Sequence, residues 1–144
     1  MHSVGANARW RTLSAVLCGL LGLLTILTGL YFVLLRPAML PEDQRLTGVE
    51  LASLPAAFTG WLSIVFRTWA GFMIAFGVLL AAIGGYLRAG NSRWIHGGVA
   101  SSVIVAFGFF LASNIQIKSD FLWYIATLFA LAAVTAFATL RRGV

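Results

Sequence analysis

Most of the side chains that could do chemistry lie between two long apolar runs, in the segment 36–67. The segment holds three of the four acidic residues of the chain. Its ionisable residues are Arg36, Glu42, Asp43, Arg45, Glu50 and Arg67. Such a group of charges could bind an anionic headgroup or a small polar substrate, and two amides, Asn114 and Gln116, are expected nearby. The alternative is a loop held by salt bridges at a membrane surface.

The residue types that catalysis or metal binding needs are sparse elsewhere. His96 has no second histidine, cysteine or carboxylate at ligand spacing, so we expect an interfacial histidine rather than a haem or metal ligand. Cys18 is the only cysteine and stands within an apolar run, where packing is its expected role. The sequence has no Ser-His-Asp pattern, phosphate-binding glycine loop or thiol pair. We therefore expect no catalytic or metal-binding residues, and no cofactor is identified.

Composition indicates the class of protein. The 144 residues are 60% hydrophobic and 10% charged, whereas a soluble domain has about 25% charged residues. The net charge of +6 comes largely from arginine pairs that follow or precede the apolar runs. This distribution is typical of charges that orient membrane spans, and it leaves no basic stripe for nucleic acid.

Four uncharged runs are long enough to cross a bilayer, which takes about 20 residues. Continuous apolar runs favour helices over the alternating strands of a barrel. The sequence therefore predicts an all-α protein, a single transmembrane domain over 1–144 built as a four-helix bundle. The predicted spans are 12–35, 68–87, 94–117 and 121–140.

The segment 36–67 is predicted to contain an amphipathic helix that rests on the outer membrane surface. Thr47 and Glu50 have the spacing of a capping box, which predicts a helix beginning there. Pro55 either kinks this helix or breaks it. The apolar positions that follow recur at helical intervals, as expected for one face against lipid.

The position of Arg67 depends on where the second long helix begins. If the second span begins at Thr68, Arg67 lies at the interface and can extend to water. If one helix runs unbroken from Phe58 to Leu87, Arg67 lies deeper and needs an acidic partner. We favour the interfacial position.

Small residues recur at four-residue intervals in the second and third spans. Such ridges let helices approach closely, within one chain or between copies. The two ridges are Gly77, Ala81 and Gly85, and Gly98, Ser102 and Ala106.

The charges between the spans predict the orientation. Arginine pairs stand before the first span, between the second and third, and after the fourth, while the other two connections are balanced in charge. The positive-inside rule then places both termini in the cytoplasm and all four acidic residues outside.

The segment and the span after it resemble a family of small, uncharacterised four-span bacterial inner-membrane proteins. The resemblance is carried by Arg36-Pro37, Leu40-Pro41-Glu42-Asp43, Arg45 and Phe66-Arg67, followed by the glycine-rich second span. It implies a bacterial inner (plasma) membrane and four helices, and it supplies no activity or cofactor.

Two functions are compatible with these patterns. The first is a non-catalytic accessory or assembly subunit that packs through the small-residue ridges against a membrane-protein partner or as a homo-oligomer. The alternative is an enzyme, transporter or other protein that binds membrane lipid or a small molecule through the outer polar group. The first predicts that Gly77→Leu or Gly98→Leu disrupts assembly, and the second that Glu42→Gln or Arg67→Gln disrupts function. An enzyme is the less favoured interpretation.

Overall fold

The structure is a computed structural model that describes residues 3–90 and 92–142, with side chains at 8–90 and 92–141. This part of the chain is all-helical and contains no strand, as predicted. The elements are α1 (Ser3–Leu34), α2 (Pro41–Thr47), a 3₁₀ turn (Leu51–Ser53), α3 (Ala56–Leu87), α4 (Arg93–Gln116) and α5 (Leu122–Arg142).

Four of the helices are long and apolar enough to cross a membrane, by length and composition. The qualifying stretches are Ala8–Leu34, Ala56–Leu87, Arg93–Gln116 and Leu122–Arg141. Four such helices suggest a multi-pass membrane protein, in agreement with the prediction from composition.

Helix α1 lies at the centre of the packing. It contacts α3 most extensively and α5 on another side, and α4 packs against α5. Aromatic pairs join α3 to α4: the ring centroids of Trp69 and Phe110 are 6.1 Å apart, and those of Phe76 and Phe107 are 6.4 Å apart. The helices therefore pack in the order α3, α1, α5, α4, and aromatic side chains line the seam between α3 and α4.

Glycines allow α1 and α3 to approach closely. A Cβ added at Gly77 would lie 2.6 Å from the carbonyl oxygen of Gly22, and one at Gly84 would lie 2.9 Å from that of Ala15. Both distances are shorter than a Cβ tolerates. Backbone therefore packs directly on backbone at two levels of this helix pair, as in other small-residue contacts between apolar helices.

The two predicted ridges differ in exposure, because only the first contains a glycine that is buried against another helix. Gly77 is buried against α1, but Gly85 is exposed and a Cβ there would meet nothing within 4 Å. Gly84, which the prediction did not include, makes the second close contact. The ridge Gly98, Ser102 and Ala106 is exposed along α4. It is therefore a surface that a second chain could contact.

The segment between α1 and α3 differs from the single amphipathic helix expected. It contains α2, the 3₁₀ turn and the first turns of α3. The capping box predicted at Thr47 was wrong, because Thr47 ends α2 and Gly48 follows in the left-handed region with φ 68°. At the start of α2 only half of such a box is present: the backbone N–H of Leu40 donates to the Asp43 carboxylate at 2.8 Å, and Leu40 has no side-chain acceptor.

Helix α3 begins directly after Pro55 and continues without interruption to Leu87. Proline lacks a backbone N–H and fixes φ, so it suits the start of a helix and not its interior. The structure therefore has the unbroken helix, rather than one that begins anew at Thr68. Arg67 lies within this helix and is exposed.

The left-handed conformation at the end of α2 can be tested by substitution. Gly48→Ala should lower the free energy of unfolding by about 1 kcal/mol, because a Cβ disfavours positive φ. Gly60→Ala is the matched control: Gly60 is helical, and a Cβ there would meet nothing within 4 Å. That variant should be unchanged or slightly more stable in a denaturant titration in detergent micelles. Equal losses in the two variants would contradict the assignment.

Candidate functional site

A cavity of about 510 Å³ lies where α2 and the turn before α5 meet one end of the bundle. Most of its wall is apolar and includes Tyr31, Phe32, Phe66, Trp69, Phe110, Trp123 and Ile125. Its polar side chains are Thr28, Arg36, Glu42, Asp43, Ser113, Asn114, Ser119 and Tyr124. An apolar cavity with a few convergent polar groups is the usual form of a small-molecule site.

Arg36 and Asp43 form an ion pair at one end of the cavity, with 2.7 Å between Nη2 and Oδ2. The Arg36 side chain is 4% exposed and that of Asp43 is 20% exposed. The guanidinium lies over the ring of Phe66, 3.4 Å from its centroid, and donates to the carbonyl of Pro37 at 2.9 Å. Burial lowers the pKa of Arg36, and the charge of Asp43 opposes that change. The positive charge of Arg36 is therefore largely compensated inside the protein by the carboxylate of Asp43.

Glu42 stands beside this pair because Pro41 begins α2 and places both carboxyl groups in its first turn. Glu42 is 1% exposed. Oε1 accepts a hydrogen bond from the Ser119 hydroxyl at 3.1 Å. Among the described residues, Oε2 has no hydrogen-bond partner. A buried acceptor in that state costs about 1–3 kcal/mol, so Oε2 is an atom that a bound molecule would stabilise.

Three of the remaining polar side chains, Thr28, Asn114 and Tyr124, are held by neighbouring backbone or by one another. The amide of Asn114 donates to the carbonyl of Phe110 at 2.8 Å. The hydroxyls of Thr28 and Tyr124 share a hydrogen bond of 2.8 Å between α1 and α5. The turn that carries Ser119 includes Lys118 at φ 51°. These contacts fix the shape of the polar end of the cavity.

A second cavity of about 300 Å³ lies in the aromatic seam between α3 and α4. It shares Trp69, Phe110 and Ser113 with the first. The first cavity therefore extends toward the seam, where the bundle is joined by side chains rather than by close backbone contact.

The structure brings four of the eight predicted site residues to the cavity: Arg36, Glu42, Asp43 and Asn114. The other four are exposed and do not line it: Arg45, Glu50, Arg67 and Gln116. Within the described part of the chain, no ion pair involves Arg67, although the deeper placement would have required one.

Arg45 lies outside the cavity and forms a surface salt bridge, as in the alternative of a loop held by salt bridges. It pairs with Asp120 at 2.7 Å, and both side chains are more than half exposed. The hydrogen bond from Arg45 to Asp120 raises the pKa of Arg45. The pair links α2 to the turn before α5 at the surface, and an exposed pair of this kind adds little stability.

Sequence reasoning missed Thr28, Ser119 and Tyr124 as cavity residues. Tyr124 carried the signal of an interfacial aromatic residue, and Ser119 that of a helix cap. Nothing in either pattern predicts a shared cavity, because the contacts join residues that are distant in sequence.

Cys18 and His96 do not line this cavity. Cys18 is buried in the core, and His96 is buried near the start of α4. In residues 3–90 and 92–142, no group of three or more His, Cys, Asp and Glu could hold a metal ion. The apolar wall of the cavity fits an organic molecule.

Comparison with known proteins gives no relative: no family model matches the sequence, and no curated protein or solved structure is significantly similar.

Proposed function

We propose that this chain is an integral membrane protein that binds a lipid or another small amphiphilic molecule in the cavity. The observation that carries the proposal is the unpartnered Oε2 of Glu42 at the end of an apolar cavity of about 510 Å³. An amphiphile has the matching form, with a polar head for the carboxyl group and an apolar body for the aromatic walls.

The four apolar helices support a location in a membrane, and the arginine pairs support cytoplasmic termini. In this arrangement α2, the 3₁₀ turn and the first turns of α3 lie at the outer surface, in place of the amphipathic helix predicted there. The exposed Trp61 and Arg67 then lie on the outer part of α3. The sequence resemblance favours a bacterial inner membrane.

The proposed molecule has a direct route from the bilayer. The second cavity lies in the aromatic seam between α3 and α4 and shares Trp69, Phe110 and Ser113 with the first as lining residues. An apolar body could enter there without crossing water, whereas the α1–α3 contact is closed by backbone.

Blocking the cavity tests the proposal. Ser113 is exposed and lines both cavities, so Ser113→Trp should fill the space without opening the core. We expect native mass spectrometry of the gently extracted protein to show one retained small molecule. The variant should retain at least about tenfold less, because overpacking commonly costs more than the 1.4 kcal/mol that corresponds to tenfold.

Ser101→Trp is the matched control, since Ser101 is exposed on the same helix and lines neither cavity. It should retain the molecule as the unmodified chain does. A molecule that survives Ser113→Trp at full occupancy, or wild-type protein that is always bare, would contradict the proposal.

A second function, assembly with another chain, is favoured by the exposed ridge on α4. Gly98, Ser102 and Ala106 are all exposed, and a Cβ at Gly98 would meet nothing within 4 Å. If the ridge is an interface, Gly98→Leu should shift the oligomer to monomer in the same spectra without unfolding the chain. The same mass in both proteins would exclude this ridge as the interface.

A further inference from the structure

We propose that the cavity selects an amphiphile with a hydroxyl headgroup over one with an anionic headgroup. This inference rests on the proposed function and names the chemical class of its ligand. It excludes the anionic headgroup, which was one of the two kinds of ligand that the charges of the segment could bind.

The charges at the polar end of the cavity disfavour an anionic headgroup. Among the described residues that line the cavity, the one cation is Arg36, which is already paired with Asp43 at 2.7 Å and stacked on Phe66. Glu42 adds a second acidic group to the same wall. The end therefore holds one basic and two acidic side chains, and an anionic headgroup placed there would face an excess of negative charge at low dielectric.

Two buried hydrogen-bonding atoms further restrict the class of headgroup that fits the polar end. Within the described residues, Glu42 Oε2 and Arg36 Nε are both buried without a hydrogen-bond partner. The first is an acceptor and the second a donor. A hydroxyl both donates and accepts, so it complements either atom, whereas an ether oxygen or a carboxylate cannot donate to Glu42.

Glu42 lines the cavity and is 1% exposed, so bulk solvent does not supply the missing partner of Oε2. The apolar walls then select the rest of the molecule. The aromatic side chains Tyr31, Phe32, Trp69 and Trp123 also line the cavity, and burying a hydrocarbon body against them is favourable. The geometry assigns the head to α2 and the body to the bundle.

Three probes with one and the same hydrocarbon chain test the inference: a primary alcohol, its methyl ether and the corresponding carboxylic acid. Each is added at equal mole fraction in micelles at neutral pH, and occupancy is read by native mass spectrometry. We expect the alcohol to bind about tenfold more tightly than the ether, the effect of one hydrogen bond to a charged group. The acid should bind more weakly than the alcohol.

Glu42→Gln should reduce the preference for the alcohol over the ether, and Glu50→Gln should leave it unchanged, since Glu50 is exposed and outside the cavity. Thermal unfolding of both variants confirms that they are folded, and Glu42→Asp provides a second variant if Glu42→Gln is not. Equal binding of alcohol and ether, tightest binding of the acid, or an unchanged preference in folded Glu42 variants would overturn the inference. Binding of none of the three probes by a chain that also carries no molecule from its membrane would instead overturn the proposed function.

Discussion

A leucine at Gly77 is expected to force α1 and α3 apart and lower the free energy of unfolding by about 3 kcal/mol. Even a Cβ at this position would lie 2.6 Å from the carbonyl oxygen of Gly22 and 2.7 Å from Cγ1 of Ile26. The first neighbour is backbone and cannot move aside by a rotamer change. Overpacking that requires a backbone shift costs about 1–3 kcal/mol and occasionally more, and this contact lies in the most extensive helix pair of the bundle.

Gly85→Leu is the control for that result. It adds the same side chain to the same helix, at an exposed position where a Cβ meets nothing within 4 Å. Denaturant titration in micelles should separate the two variants clearly, with Gly85→Leu close to the unmodified chain. If Gly85→Leu were the more damaging substitution, the α1–α3 contact would have to involve the other face of α3.

Loss of the Asp43 carboxylate is expected to have an effect of similar size. Asp43→Ala leaves the Arg36 guanidinium 96% buried without its counter-ion, since the Arg36 side chain is 4% exposed. Breaking a buried pair by removing one partner costs about 3–5 kcal/mol, and the partial exposure of Asp43 places the expected loss near the lower end, about 3 kcal/mol. The substitution also removes the acceptor for the Leu40 N–H at the start of α2.

Two further variants distinguish the cost of an unpaired buried charge from a loss of stability that removing any carboxylate would cause. Asp120→Ala removes a carboxylate at the same 2.7 Å distance from its arginine, but from an exposed pair, and should leave stability nearly unchanged. Adding Arg36→Met to Asp43→Ala should recover part of the loss, because an apolar side chain then replaces the unpaired charge. Similar losses for Asp43→Ala and Asp120→Ala, with no recovery in the double variant, would show that the pair is not buried in the working protein.

The long helices could be predicted because hydropathy reports them directly. Each of the four apolar runs corresponds to a long helix, and proline and charge locate several ends. The start of α3 was misplaced because a charged residue, Arg67, was taken as a boundary. A single arginine at an exposed position does not interrupt a helix, whereas Pro55 does end the preceding segment.

The packing could be predicted only in part. Small residues at four-residue spacing indicated Gly77, but the contact with α1 recurs at Gly84, seven residues later, as it does when two helices cross at a shallow angle. Gly84 and Gly85 are adjacent, so composition alone cannot choose between them. The choice depends on the rotation of α3 about its axis, which its contacts with α1 set.

The site was predicted as a collection of charges, and the structure divides that collection. Arg36, Glu42 and Asp43 line the cavity, while Arg45 and Glu50 are exposed. The division follows from α2, whose first turn places Glu42 toward Ser119. No local pattern predicts the contact between Glu42 and Ser119, because the two residues meet only when α5 packs against α1.

Photo-crosslinking in membranes tests directly whether an amphiphile occupies the cavity. The probe is a long-chain alcohol with a diazirine on its chain, and the labelled residues are identified by tandem mass spectrometry. Labelling is expected at Ile125, which is 4% exposed and lines the cavity, and excess unlabelled alcohol should suppress it. Val134, on the same helix but 52% exposed and outside the cavity, should show only labelling that the alcohol does not suppress. Labelling confined to exposed residues such as Val134, with none at Ile125, would contradict a ligand in the cavity.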